Sequence, residues 1–244
     1  AASADIDTVQ SAISYVLGAT LENLQLTGTS ALAGTGNSAD NRLTGNTGAN
    51  TLKGLLGDDT LLGGGGNDSL TGDANANTLI GGAGNDTLDG GAGNDVLTGG
   101  DGTDTASYVS ATAGVTVSLA LATAQNTGGA GTDTLATIEN LTGSAFNDVL
   151  TGSAAANRIE GGAGNDRLNG FGGDDWLIGG AASDTLAGGL GRDSFLFAAG
   201  KDVVLDFTDD QDRLVFDSTL FPGGPPTAVS GCAGSKSQSA ACTA

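Results

Sequence analysis

The sequence has no histidine and no methionine, only three prolines, two cysteines and 4% aromatics. Without histidine there is no Ser-His-Asp triad, no Cys-His dyad and no histidine-ligated zinc. Cys232 and Cys242 both sit near the C-terminus, so no CxxC zinc pair exists. They pair as a disulfide if the protein is secreted, or stand idle in the tail. Neither HExxH nor GxSxG appears. The longest apolar run, near Val115–Ala124, falls well short of the roughly 18 residues of a membrane span, and serine and threonine interrupt it. The start, Ala1-Ala2-Ser3, lacks a methionine and a basic-then-apolar signal, so the chain reads as a fragment or a processed product. Basic residues are scarce: 8 Lys and Arg stand against 28 Asp and Glu, for a net charge of -20. That balance argues against a nucleic-acid partner and leaves solvated disorder or bound cations.

What is abundant is glycine, 44 residues, and it is periodic. Gly81–Asp89 reads Gly-Gly-Ala-Gly-Asn-Asp-Thr-Leu-Asp, and close variants begin at Gly90 and Gly161. Windows of the form Gly-Gly-x-Gly-x-Asp-x-Leu-x run without a gap from Gly36, Gly45, Gly54, Gly63, Gly72, Gly81, Gly90 and Gly99. A second block starts at Gly143, Gly152, Gly161, Gly170, Gly179 and Gly188, and a lone window covers Gly128–Ala136. The sixth position is Asp59, Asp68, Asp86, Asp95, Asp104, Asp133, Asp148, Asp166, Asp175, Asp184 or Asp193, and otherwise Asn41, Asn50, Asn77 or Asn157. The eighth is leucine apart from Ala106, Ile159 and Phe195. Two unlike chemistries held in phase at a nine-residue period mean a stacked solenoid of thin leucine layers.

Each window divides into a six-residue glycine loop and a three-residue strand whose leucine points inward. Stacked strands lie about 4.8 Å apart, so equivalent aspartates repeat at that distance. A cation midway would have oxygens at about 2.4 Å, a calcium distance and too long for magnesium. Carboxylates and carbonyls are hard donors that suit calcium rather than copper or zinc. Without an ion the stacked carboxylates repel, so binding and folding are one event. For a single such aspartate, capping of loop N–H groups would be the simpler reading; so many in phase favour calcium.

The phrase resembles the RTX (repeats-in-toxin) calcium-binding nonapeptide. The resemblance implies an all-β, right-handed parallel β-roll in which two windows make one coil. Loops two windows apart then share an edge and sandwich several calcium ions. It further implies a bacterial protein, secreted or at the cell surface, exported by a type I system and folding in external calcium. On that geometry one edge of the first block carries Asn50, Asp68, Asp86 and Asp104, and the other Asn41, Asp59, Asn77 and Asp95. In the second block the edges carry Asp148, Asp166 and Asp184, and Asn157, Asp175 and Asp193. The tight sites are expected between neighbouring aspartates, with the Asn77 edge weaker or empty. Windows Gly72–Ile80 and Gly152–Glu160 lack their second and fourth glycines, which alters their loops.

The chain divides into lead-in strands over 1–35, a first β-roll block over 36–107, a connecting β segment with one isolated repeat over 108–142, a second block over 143–196, a cap over 197–221 and a disordered tail over 222–244. Thr20-Leu21-Glu22-Asn23-Leu24 and Thr137-Ile138-Glu139-Asn140-Leu141 introduce the two blocks alike, as in a duplication. Val115-Thr116-Val117-Ser118-Leu119 alternates like a strand. The segment from Asp202 to Phe216 resembles the cap of secreted serralysin-type proteases and lipases. Its Asp202, Asp206 and Asp212 either hold a further calcium, Asp202 being the one placed with the repeat aspartates as a ligand, or are solvated turn carboxylates. Calcium-dependent lyases work with a lysine or arginine base, but Lys53, Lys201 and Lys236 fall in no carboxylate cluster readable from sequence. The expected function is therefore a non-catalytic, calcium-folded module of an exported protein, with a catalytic or adhesive domain possible elsewhere in it. The alternatives are a repeat segment of an adhesin or surface-layer protein, and the C-terminal module of an extracellular hydrolase or polysaccharide-modifying enzyme.

Overall fold

A leucine between two polar neighbours makes a strand of three residues, too short to persist alone. Its backbone must pair with equivalent strands above and below. In the computed structural model this pairing is nearly all parallel, and the described residues contain no helix, so none long and apolar enough to cross a membrane. The structure describes residues 6–197, 200–208, 210–216 and the backbone of 242–243. The expected disordered tail lies outside the described residues except at Cys242–Thr243, and so does any pairing of Cys232 with Cys242.

Two compact units are present, 1–110 with 122–138, and 111–121 with 139–244. The connecting segment 108–142 is thus shared between them. In the first unit one sheet stacks Thr8–Ser11, Asn23–Leu26, Arg42–Thr44, Thr60–Gly65, Thr78–Ala83, Val96–Asp101 and Gly131–Ala136 in parallel, with Gln125–Gly128 antiparallel at its edge. The other stacks Tyr15–Val16, Ala33–Thr35, Thr51–Lys53, Ser69–Asp73, Thr87–Gly91 and Thr105–Ser107. In the second unit one sheet runs Thr116–Ser118, Val149–Thr151, Arg167–Asn169, Thr185–Ala187 and Val203–Val204, edged by antiparallel Cys242–Thr243. The other runs Asn140–Thr142, Arg158–Ala163, Trp176–Ala181, Ser194–Phe197 and Arg213–Phe216.

The register shows two windows per coil. Leu43 pairs with Leu61, Leu61 with Leu79 and Leu79 with Leu97, each eighteen residues on. Leu52, Leu70, Leu88 and Ala106 form the matching column of the other sheet. Every member is buried, Leu79 and Leu88 completely. The isolated window keeps this register across an insertion: Leu135 pairs with Leu97, thirty-eight residues earlier. In the second unit Phe195 and Phe197 are fully buried, with Phe207 and Phe216 against them at ring-centroid distances of 6.4 and 5.4 Å. This is the parallel β-roll, all-β, built of stacked nine-residue repeats.

The loops explain one glycine at a time. Gly82 has φ 115°, and a Cβ there would run into the carbonyl oxygen of Gly64 one coil below. The equivalent second loop position tolerates Leu55 and Phe171 only at positive φ, 72° and 75°, a strained conformation for such side chains.

Because each leucine is held between identical neighbours, truncation leaves a hole that the rigid stack cannot close. Leu79→Ala is expected to cost about 3 kcal/mol in saturating calcium, by the usual penalty for large-to-small changes in a core. Urea unfolding midpoints of the two proteins measure it, and a loss below about 1 kcal/mol would show a core that relaxes freely.

Candidate metal centre

The strand that buries each leucine also sets the residue two places before it. That sixth-position side chain turns back under the loop, and all twelve aspartates expected as ligands, Asp202 included, are no more than 3% exposed. Their Oδ1 atoms form hydrogen-bond ladders. The N–H of Asn50 donates to Asp68, that of Asp68 to Asp86 and that of Asp86 to Asp104, at 2.6–2.8 Å. On the other edge Asn41 donates to Asp59, Asp59 to Asn77, Asn77 to Asp95 and Asp95 to Asp133. The second unit has Asp148 to Asp166 to Asp184 to Asp202, and Asn157 to Asp175 to Asp193 to Asp212. The two edges that the resemblance implied, on a coil of two windows, are the two edges of the structure.

The second carboxylate oxygen tells the sites apart. In Asp59, Asp68, Asp86, Asp95, Asp166, Asp175, Asp184 and Asp193, Oδ2 is buried and no donor reaches it. It presses against the first glycine of its own window, where a Cβ would collide with it. At Gly63, Gly81, Gly161 and Gly170 the same Cβ would also meet the carbonyl oxygen of the first glycine one coil further on. A carboxylate oxygen and a carbonyl oxygen thus share a cradle with nothing positive between them. Among the described residues no three acidic side chains gather at one point, so a cation here would draw on backbone carbonyls as well as carboxylates. Buried, unpaired and hard in donor character, these atoms fit a calcium ion.

Burial dominates their proton affinity. It raises Asp59, Asp166 and Asp175 to about 7, and Asp68, Asp95 and Asp184 to about 6, against the ladder N–H bonds that lower them. The next carboxylate in the ladder adds to the rise, as Asp184 does for Asp166 and Asp193 for Asp175.

Asp133 and Asp148 sit in the ladders but find protein donors. Thr127 Oγ1 donates to Asp133 Oδ2 at 2.9 Å. The N–H of Ser144 donates to Asp148 Oδ2 at 2.6 Å, and Ser144 Oγ and the Val115 N–H meet its Oδ1. The asparagine windows close similarly: Asn37, Asn46 and Ser153 donate their N–H groups to Asn41, Asn50 and Asn157. The side-chain amide of Asn157 then donates to the Glu139 carbonyl at 2.6 Å, doing with N–H what a cation would do in the aspartate loops.

Reading the sequence for acids at position six misses a second ladder at position five. Asn67 Oδ1 accepts the N–H of Asn85, and Asn85 that of Thr103; Asn147 and Asn165 repeat this in the second unit. Asp40, Asp58 and Asp174 play the same part. The signal was visible as the recurrent asparagine of the Gly-Ala-Gly-Asn-Asp phrase. Asp206, beyond the repeats, caps the N–H groups of Gly188 and Gly189.

The profile of the RTX calcium-binding nonapeptide repeat matches residues 35–70, 71–106, 136–168 and 169–204, more than half of the chain. The chain belongs to this RTX repeat family. No curated protein matches it. As an RTX repeat chain it is a calcium-binding module that takes several ions, and the buried aspartate series is the donor set this requires.

The raised carboxyls fix the pH behaviour of the metal-free RTX module. A group with a folded pKa near 6 or 7 and an ordinary value of 3.8 holds its proton more tightly folded than unfolded. Between about pH 4 and 7 the folded chain therefore binds more protons, and its stability falls as pH rises. In chelator, the β signal in far-UV circular dichroism is expected to be larger at about pH 5 than at about pH 7.5. A β signal that grows as pH rises would contradict the unpaired carboxylates.

Proposed function

We propose that this chain is an exported, non-catalytic module that stays unfolded at low calcium and folds in the calcium-rich medium outside the cell. It serves a larger exoprotein, with a fused catalytic or adhesive domain, passed through a type I secretion channel. The observation that carries this reading is the set of buried Oδ2 atoms without donors on both edges of each unit. A chain that leaves so many carboxylates unpaired is poorly folded until a cation arrives.

The proposed ligands are Asp59, Asp68, Asp86, Asp95, Asp104, Asp166, Asp175, Asp184 and Asp193, each with carbonyls of neighbouring loops. Asp202, at the end of the Asp148 edge, joins them beside Asp184. Asp133 and Asp148 are better read as ladder ends closed by Thr127 and Ser144 than as ligands. When bound, calcium cancels the repulsion within each carboxylate column. The protein's part is to hold the oxygens in register and to exclude water from them. Extracellular calcium modules commonly bind at about 10⁻⁴–10⁻³ M, which separates the outside of a cell from its interior. The net charge of -20 suits the same purpose, keeping the unfolded chain extended and soluble before export.

Calcium titration followed by far-UV circular dichroism tests the reading, with magnesium as control. A cooperative coil-to-β transition with calcium alone is expected near neutral pH. A chain already fully folded in chelator at that pH would overturn it.

A further inference from the structure

The two side-chain ion pairs of the described residues both lie in the second unit, beside the only tryptophan of the chain. Trp176 opens the strand Trp176–Ala181. The next residue, Leu177, is fully buried, so strand alternation turns the indole outward, where it is 40% exposed. The repeat most often has threonine at this seventh position. An indole there adds nothing to the leucine column. Neither ring contact among the described residues involves it.

The register fixes its neighbours. Arg158 pairs with Trp176 on the preceding strand and Ser194 on the following one, each about 4.8 Å away along the stack. Glu160, two residues after Arg158 and so on the same outer face, meets the Arg158 guanidinium at 3.2 Å. Asp174, two residues before Trp176, meets the guanidinium of Arg192 at 3.6 Å and accepts the Arg192 N–H at 2.9 Å. Arg192 stands two residues before Ser194. One guanidinium–carboxylate pair thus lies on the strand before the indole, and the other ties its own coil to the next. Stability does not explain them, because all four side chains are at least 41% exposed and such pairs contribute little.

Together these groups offer a flat apolar face beside planar donors and acceptors. A pyranose with equatorial hydroxyls has the complementary surface. One of its C–H faces stacks on an aromatic ring, and the hydroxyls at its rim both donate and accept. The local charge is balanced, Arg158 and Arg192 against Glu160 and Asp174, on a chain of net charge -20. An anionic sugar would be repelled by the excess of acids, and a cation would find both local carboxylates already paired.

We propose that Trp176, with the Arg158–Glu160 and Asp174–Arg192 pairs, binds a neutral β-linked glycan, the indole carrying one sugar ring and the ion pairs its hydroxyls. A linear glycan laid along the stack meets Asn140, Arg158, Trp176, Ser194 and Arg213, one side chain per strand. That arrangement favours a polymer over a single sugar. The site uses none of the proposed calcium ligands.

Because Trp176 is the only tryptophan, its fluorescence reports this site alone. Titrating the whole chain, folded in calcium, with cellohexaose is expected to give a saturable change in emission and a matching heat by calorimetry. Trp176→Ala is expected to weaken the calorimetric affinity about tenfold. Trp176→Phe keeps a ring face and is expected to lose less, and Arg158→Met, which removes one planar donor, is expected to weaken binding as well. Val149→Ala, at the same strand position on the other sheet of the unit, is expected to bind like the unaltered chain. Far-UV circular dichroism is expected to be the same for all of them. No emission change and no heat with cellohexaose would overturn the site. Full affinity in Trp176→Ala would do so too, as would tighter binding of an oligogalacturonate, an acidic glycan, than of cellohexaose. Self-association lost in Trp176→Ala, without any response to sugar, would assign the face to a second copy of the chain instead.

Discussion

Parallel stacking at about 4.8 Å is the constraint on which this structure depends. Within each run of repeats it places a residue directly over its counterpart eighteen positions away. For leucine that is favourable, since Leu61, Leu79 and Leu97 fill one continuous column and each buried side chain contributes roughly 1.5–3 kcal/mol. For aspartate it is unfavourable, because Asp68 and Asp86 bring like charges into a dry edge. The same geometry that builds the core creates the need for cations.

The protein meets that need in two ways. In the loops of Asp68, Asp86, Asp166 and Asp175 a carboxylate oxygen without a donor and a glycine carbonyl are left facing each other, an arrangement that fits calcium. In others an N–H group is put there by the chain. Asn41 and Asn50, early in the first unit, and Asp148 and Asn157, early in the second, are closed by the backbone N–H groups of their own loops. The coils that open each stack are thus completed by hydrogen bonds, and the coils that follow carry the buried carboxylate oxygens that lack a donor.

Side-chain ion pairs do little of this work. The described residues show two, Arg158 with Glu160 and Arg192 with Asp174, both solvent-exposed and therefore worth little. Arginines on the outer faces cannot reach the buried Oδ2 atoms. The excess of acids over bases is therefore not balanced within the chain. It leaves a place for external cations, and it ties the fold to the medium in which the chain finds itself.

Much of this was legible in the residues themselves. The nine-residue period fixed the leucine columns, and the resemblance to the RTX repeat supplied the two-window coil and with it the partition of Asn50, Asp68 and Asp86 from Asn41, Asp59 and Asn77. The strand at Thr116–Ser118 was readable from its alternation. What position alone does not carry is which atom stands above or below a given oxygen. Asp133 joins the Asp95 ladder across an insertion, where Thr127 covers its Oδ2, and Asp148 is covered by Ser144; both look like ligands in the sequence. Asp73 stands where most windows have their second glycine, and its Oδ2 is buried with no donor in reach. The sequence by itself determined the solenoid, its core and the column of acids, since these depend on spacing. Only the tertiary structure decided which acids lack a hydrogen-bond donor, since a donor arrives from another coil and a buried charge is settled by its neighbours in space.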